Sequence, residues 1–164
     1  MPASPSILLT GLAPVIDTST RILILGSFPG AASLQAGQYY AHPRNQFWHL
    51  LSALLAEDFV SMQYGQRLAR IATHHIGLWD VIATCTRTGS LDSAIRQAQQ
   101  TDFSVLRNSY PAIRTIAFNG KTAGKAAPAF DAAGYQIIVL PSSSPANAQL
   151  TFAQKLVQWR QLLG

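Results

Sequence analysis

RILILGSFPGAASLQAGQYYAHPRNQFW, residues 21–48, decides how this chain folds. It opens on an apolar run, Ile22-Leu23-Ile24-Leu25, that is too short for a helix of its own. Stopped by Gly26, such a run reads as a strand buried on both faces. Gly26-Ser27-Phe28-Pro29-Gly30 then forbids continuation as strand or helix. Between Gln38 and Asn45 lie two tyrosines, a histidine, a proline and an asparagine, a polar and aromatic loop. A helix is expected from Gln46 to Leu55, with Phe47, Leu50, Leu51 and Leu54 on one face. Parallel sheets bind ligands beyond the carboxyl ends of their strands, which is where this loop falls. Aromatic rings there suit a planar ligand, and loop amides suit its polar edge.

Working outward, Gly77–Ile82 (GLWDVI) reads as a second strand leading into a loop, 83–89. Arg114–Phe118 (RTIAF) and Tyr135–Leu140 (YQIIVL) read as a third and a fourth. Helices are predicted over 62–75, 91–99 (Ser90 as N-cap, Asp92 in the first turn), 104–110, 121–130 and 152–163. In the last, Leu156, Trp159, Leu162 and Leu163 are available to a core. Four apolar strands separated by helices predict an α/β fold, a three-layer α/β/α sandwich around a twisted four-stranded parallel sheet. The length, 164 residues, fits one domain spanning 1–164, with 1–19 as a proline-bearing extended leader packed on it.

Twelve Lys and Arg against seven Asp and Glu give a modest, dispersed positive excess. That balance suits a polyanion without identifying one. A single cysteine, Cys85, excludes an internal disulfide and a four-cysteine cluster, and points to a reducing compartment. No apolar run reaches membrane-spanning length, and the N-terminus lacks a basic signal-peptide region. A cytoplasmic monomer without membrane contact is expected. His74 and His75 fail as a metal pair, since adjacent helical residues point apart and no third ligand lies near. Gly120-Lys121-Thr122 is not a phosphate-binding P-loop, because Thr115 stands where that motif needs glycine.

GSFPGAASLQAGQYYAHPRNQFW resembles the first motif of the uracil-DNA glycosylase superfamily, and matches its mismatch-specific branch without a gap from Gly26 to Trp48. With GLWDVI, GSLDSAI, FNG and LPSSSPAN, the chain looks most like the deoxyinosine (hypoxanthine-DNA) glycosylase family. The resemblance implies an enzyme that flips a deaminated base out of double-stranded DNA and hydrolyses its N-glycosidic bond with a positioned water. Hypoxanthine is the leading base, and no cofactor or metal is implied. It places Gly26, Ser27, Phe28, Pro29, Tyr40, His42 and Asp92 around the base. Ser142, Ser143, Ser144, Pro145 and Asn147 match the second motif, which contacts phosphate and wedges the stack; Lys121 could add a phosphate contact. Phe28 departs from the mismatch-specific pattern, which has its catalytic asparagine at that place. The deoxyinosine family shares the departure, and its HPRN asparagine makes Asn45 the catalytic candidate.

Each assignment has a structural alternative. Asn45 precedes a helix and would make a good N-cap. Tyr39 and Tyr40 could simply cover the core, His42 could brace its loop, and Ser90 and Asp92 could only start a helix. Asp80 could tie down its loop, with Arg87 as partner or as a phosphate contact. Lys121, Lys125 and Lys155 lie outside both site motifs, which disfavours a lysine Schiff-base lyase. Two rival classes remain: uracil mismatch excision and a damaged-DNA-binding module without chemistry. A serine hydrolase would need a Gly-x-Ser-x-Gly elbow that the chain lacks.

Overall fold

The computed structural model describes residues 7–164. Its centre is a parallel sheet of four strands, β2 (Ile22–Gly26), β3 (Ile76–Asp80), β6 (Thr115–Asn119) and β7 (Gln136–Leu140), in the order β3-β2-β6-β7. The apolar runs go where two-sided burial sends them. Leu23 and Leu25 join Ile116, Phe118 and Phe130 on one face, while Ile24 and Ala117 join Phe47, Leu50, Phe59 and Trp159 on the other. Helices α2 (Phe47–Leu55), α3 (Tyr64–Thr73) and α7 (Phe152–Trp159) cover the second face. Helices α4 (Val105–Ser109), α5 (Lys121–Gly124) and α6 (Ala127–Ala132) cover the first. The three-layer sandwich expected from the sequence is therefore present.

The chain leaves β2 toward β3 on one side and later returns to β2's other side as β6. That reversal opens a crevice at the carboxyl ends of the strands. One unexpected helix, α1 (Ala31–Ala36), lies inside the long loop after β2.

The segment between the second and third expected strands is not a loop and a helix. Ile82–Thr86 forms β4 and Arg96–Gln100 forms β5, antiparallel partners with register shifts between them. Only a short 3-10 turn, Asp92–Ala94, stands where the helix 91–99 was expected. Ser90 caps nothing of its own; its Oγ accepts from the N–H of Ala31 at 2.9 Å, at the start of α1. Of the proline-bearing leader, residues 1–6 lie outside the described residues, and Leu8–Thr10 forms β1 against β4. The helix expected over 121–130 is two, since Pro128, in the first turn of α6, cannot donate to the turn before it. The last helix gives way to 3-10 geometry at Arg160, which leaves Leu163 exposed rather than in the core. No helix among the described residues is long and apolar enough to cross a membrane.

The former leader is also fastened to the main sheet. Val15 exchanges both backbone hydrogen bonds with Leu78, at 2.8 and 2.9 Å. The crossing is tight: a Cβ on Gly77 would stand 2.8 Å from the Val15 carbonyl and 2.9 Å from Thr20 Cγ2. Gly77→Ala therefore forces this segment off the sheet and is expected to cost about 1–3 kcal/mol in denaturant unfolding. An unchanged unfolding midpoint would show that the segment does not pack this closely.

Candidate active site

A cavity of about 790 Å³ opens at the carboxyl ends of the parallel strands, at the reversal of strand order. Every site residue expected from the sequence lines it: the Gly26–Pro29 turn, Tyr40, His42, Asn45, Asp92, Lys121 and the 142–147 loop. Asp80, Asn119 and Leu91 line it as well.

Two loops form most of its wall, and Ser143 joins them. Its side chain is fully buried. Its N–H donates to Asn119 Oδ1 and its Oγ accepts from Asn119 Nδ2, both at 2.9 Å. Its carbonyl accepts from the N–H of Gln46, also at 2.9 Å. The N–H, the Oγ and the carbonyl of Ser143 each have a partner within the protein and the side chain is fully buried, so the contact with DNA expected of it is not available to its side chain in this conformation. Its neighbours differ, since Ser144 is half-buried and Pro145 exposed. Asn147 Nδ2 donates to the Ser142 carbonyl and Ser142 Oγ accepts from the N–H of Ser144, so the loop also holds itself.

Asn45 does cap. Its Oδ1 accepts from the N–H of Phe47 at 2.9 Å, beside Gln46 at the N-cap position of α2. Oδ1 retains a second lone pair, and no hydrogen bond of its Nδ2 is found among the described residues. The helix start is anchored again by Lys155, which is 2% exposed and donates from Nζ to Gln46 Oε1 at 2.8 Å. Burial pushes that ammonium's pKa down. His42 braces its loop through Nδ1, which accepts from the N–H of Arg44.

Tyr40 sits in left-handed backbone geometry, φ 57°. Its ring stacks on Phe47 with centroids 3.9 Å apart, so only its other face or its edge remains for a ligand. Its hydroxyl is enclosed near Asp80 and the Asn119 side chain, and no hydrogen bond of good geometry reaches it among the described residues. Phe28 is buried as a wall, with the Arg87 guanidinium 5.3 Å from its ring centroid. Among the described residues Arg87 pairs with no carboxylate; it donates to the carbonyls of Pro29 and Gly89. Asp92 is exposed at the rim, and its Oδ1 accepts from Ser27 Oγ at 2.7 Å.

Asp80 is the site residue that the sequence left undervalued. Sheet register sets it beside Gly26 at the end of β3. A Cβ on Gly26 would lie 2.6 Å from Asp80 Oδ1 and 3.2 Å from the Tyr40 hydroxyl, so only glycine lets the carboxyl turn in here. Oδ2 is enclosed and has no hydrogen-bond partner. Burial, aided by the negative charge of Asp92, pushes the Asp80 pKa up to about 7. A carboxyl there switches between donor and acceptor near neutrality.

The raised pKa has a consequence for stability. Between about pH 4 and pH 7 the folded chain holds a proton that the unfolded chain has released, so stability falls as pH rises through that window. Above pH 7 the full penalty is present, roughly 1.4 kcal/mol for each unit of elevation. Asp80→Asn is therefore expected to melt higher than wild type at pH 8 and close to it at pH 4. Parallel melting profiles across that range would contradict the assignment.

The comparisons with known proteins converge on one family. Residues 13–163 match the model of the uracil DNA glycosylase superfamily. A hypoxanthine DNA glycosylase from Methanosarcina barkeri is 42% identical over 145 residues, which is 88% of this chain and 92% of that one. A second from Methanosarcina acetivorans is 42% identical over 141 residues, 86% and 89% of the two chains. The solution NMR structure of a Methanosarcina acetivorans protein, given as a candidate uracil DNA glycosylase, superposes with a TM-score of 0.85 at 38% identity. It covers 96% of this chain and 100% of its own. A superfamily match that takes in both cavity loops, with relatives this similar over most of their length, settles the matter of kinship: the chain belongs to the uracil DNA glycosylase superfamily.

Proposed function

We propose that this DNA glycosylase removes hypoxanthine from deoxyinosine in double-stranded DNA and leaves an abasic site. The observation that carries the reading is the cavity itself: aromatic walls from Phe28 and Tyr40 and an enclosed carboxyl, Asp80, at the strand ends. The two relatives named for hypoxanthine, similar over most of the chain, supply the base. A base reaches such a cavity only by leaving the stack. Ser142, Ser144, Pro145, Asn147 and Lys121 on the rim are the groups offered to the flanking backbone.

In the reaction the N-glycosidic bond breaks, and the base departs with the bonding electrons. Water adds its oxygen to the sugar carbon and its proton passes to the base. Positive charge grows on the sugar, so catalysis calls for a held water and donors to the leaving base rather than a covalent nucleophile. Asn45 meets the first need. The bond from Phe47 fixes its rotamer, the remaining lone pair of Oδ1 can accept from water, and Nδ2 can donate. Asp80 meets the second when protonated, as a donor to a ring nitrogen or carbonyl of the base.

The cap gives a way to separate chemistry from folding. Asn45→Ala loses both and is expected to cost about 1 kcal/mol of stability, with base release down by about 10²–10³. Asn45→Asp keeps an oxygen for Phe47 but loses the amide, so it should release base slowly while melting like wild type. Single-turnover incision of duplexes carrying deoxyinosine, uracil or xanthine, developed with alkali, reads both variants. Full activity in Asn45→Asp would remove the amide from the mechanism. Tight binding without base release by wild type would favour a damage-binding module.

A further inference from the structure

The rim of the cavity carries one segment that is both fully exposed and firmly held. Residues 88–93 are all exposed. Arg87 donates from Nε to the Gly89 carbonyl at 2.8 Å and from Nη2 to the Pro29 carbonyl at 2.6 Å. Ser90 Oγ accepts from the N–H of Ala31, Asp92 Oδ1 accepts from Ser27 Oγ, and Arg96 Nη1 donates to the Ser93 carbonyl. The loop is thus tied to the turn after β2 on one side and to β5 on the other. At its tip Leu91 holds an isobutyl group 56% exposed on the cavity rim.

An exposed leucine by itself means little. Here the loop that carries it is braced on both sides of Leu91, through Ser90 to Ala31 and through Asp92 to Ser27, on the segment after β2 that also lines the cavity. Of the other large apolar side chains exposed among the described residues, only Val139 also lines the cavity, and it is fixed in β7 against Gly124; Ile7, Leu8, Val60, Val105, Val157 and Leu163 lie away from it. Extruding a nucleotide leaves a gap in the stack, and proteins fill such gaps with apolar wedges. On the other loop Ser144 is small and polar, and Pro145, though exposed, offers a shorter apolar group than leucine. Asp92 would be a poor neighbour for a phosphate, yet its carboxylate turns inward to Ser27. Thr88 and Ser93 are exposed on the same loop.

We propose that Leu91, on the β4–β5 connection, is the wedge that enters the base stack and fills the space of the extruded nucleotide. The proposal rests on the glycosylase reading above. It makes this loop, and not the serine-rich one alone, a part of the DNA-binding surface. Leu91 touches the stack and no reacting atom, so its effect depends on whether a stack exists to be opened.

Matched single-stranded and double-stranded oligonucleotides with one deoxyinosine test this. Leu91→Ala should lower the single-turnover rate on the duplex by at least about tenfold, with the single-strand rate within about twofold. Leu91→Phe should restore the duplex rate. With 2-aminopurine beside the lesion and Asn45→Ala as background, adding Leu91→Ala should reduce the fluorescence rise on binding. Equal loss on both substrates would make Leu91 a cavity wall and overturn the proposal, and so would no loss on either. If wild type releases base from neither substrate, the glycosylase reading fails, and the fluorescence comparison still decides for or against the wedge.

Discussion

Ser143 is the point on which the site depends. Asn119 grips it from the end of β6, and its carbonyl holds the start of α2 through Gln46. The sheet is stiff because its core is packed on both faces, and Asn119 is the last residue of a central strand. Ser143 therefore transfers the rigidity of the sheet to two loops that have little regular structure of their own. A buried polar group left without partners costs about 1–3 kcal/mol, so the pairing is also strongly selective against other loop positions. Lys155 reinforces the junction from α7 by way of Gln46. The two motifs are separated by nearly a hundred residues in sequence, yet they meet at one serine.

Opposed to this satisfied junction is an unsatisfied one a few residues away. Asp80 Oδ2 and the Tyr40 hydroxyl are enclosed without partners, at the floor of a cavity otherwise walled by aromatic rings. Buried polar groups without a protein partner are rare and mark strain, a catalytic role, or a place that water, an ion or a ligand completes. A flipped base carries donors and acceptors along one edge and apolar faces on either side, which is what this floor and these walls lack. The missing side chain of Gly26 leaves room for Asp80 to turn in.

The sequence made the central sheet plain, because runs such as ILIL and YQIIVL have no other economical burial. Its spacing also brought Asn45 to the start of α2, where its contact with Phe47 is between residues two apart, though the N-cap itself is Gln46. What it hid was set by pairing across distance. RQAQQ has no apolar alternation and reads as helix, but the backbone of β4 draws it into a strand whose side chains are all exposed. Ser90 looks like a cap for the residues just after it and instead holds a helix 59 residues earlier. Ser143 looks like the serines around it, and only Asn119 distinguishes it. Asp80 was legible as a carboxylate, while its enclosure follows from its register with Gly26.

The central claim is that the cavity at the strand reversal receives an extruded base. The most direct measurement is a crystal structure of the protein on a duplex with a 2′-fluoro deoxyinosine, whose glycosidic bond resists hydrolysis. The account predicts hypoxanthine inside the cavity, against Tyr40 and Phe28, with its polar edge at Asp80. An inosine still stacked in the duplex, or held anywhere else on the protein, would contradict it.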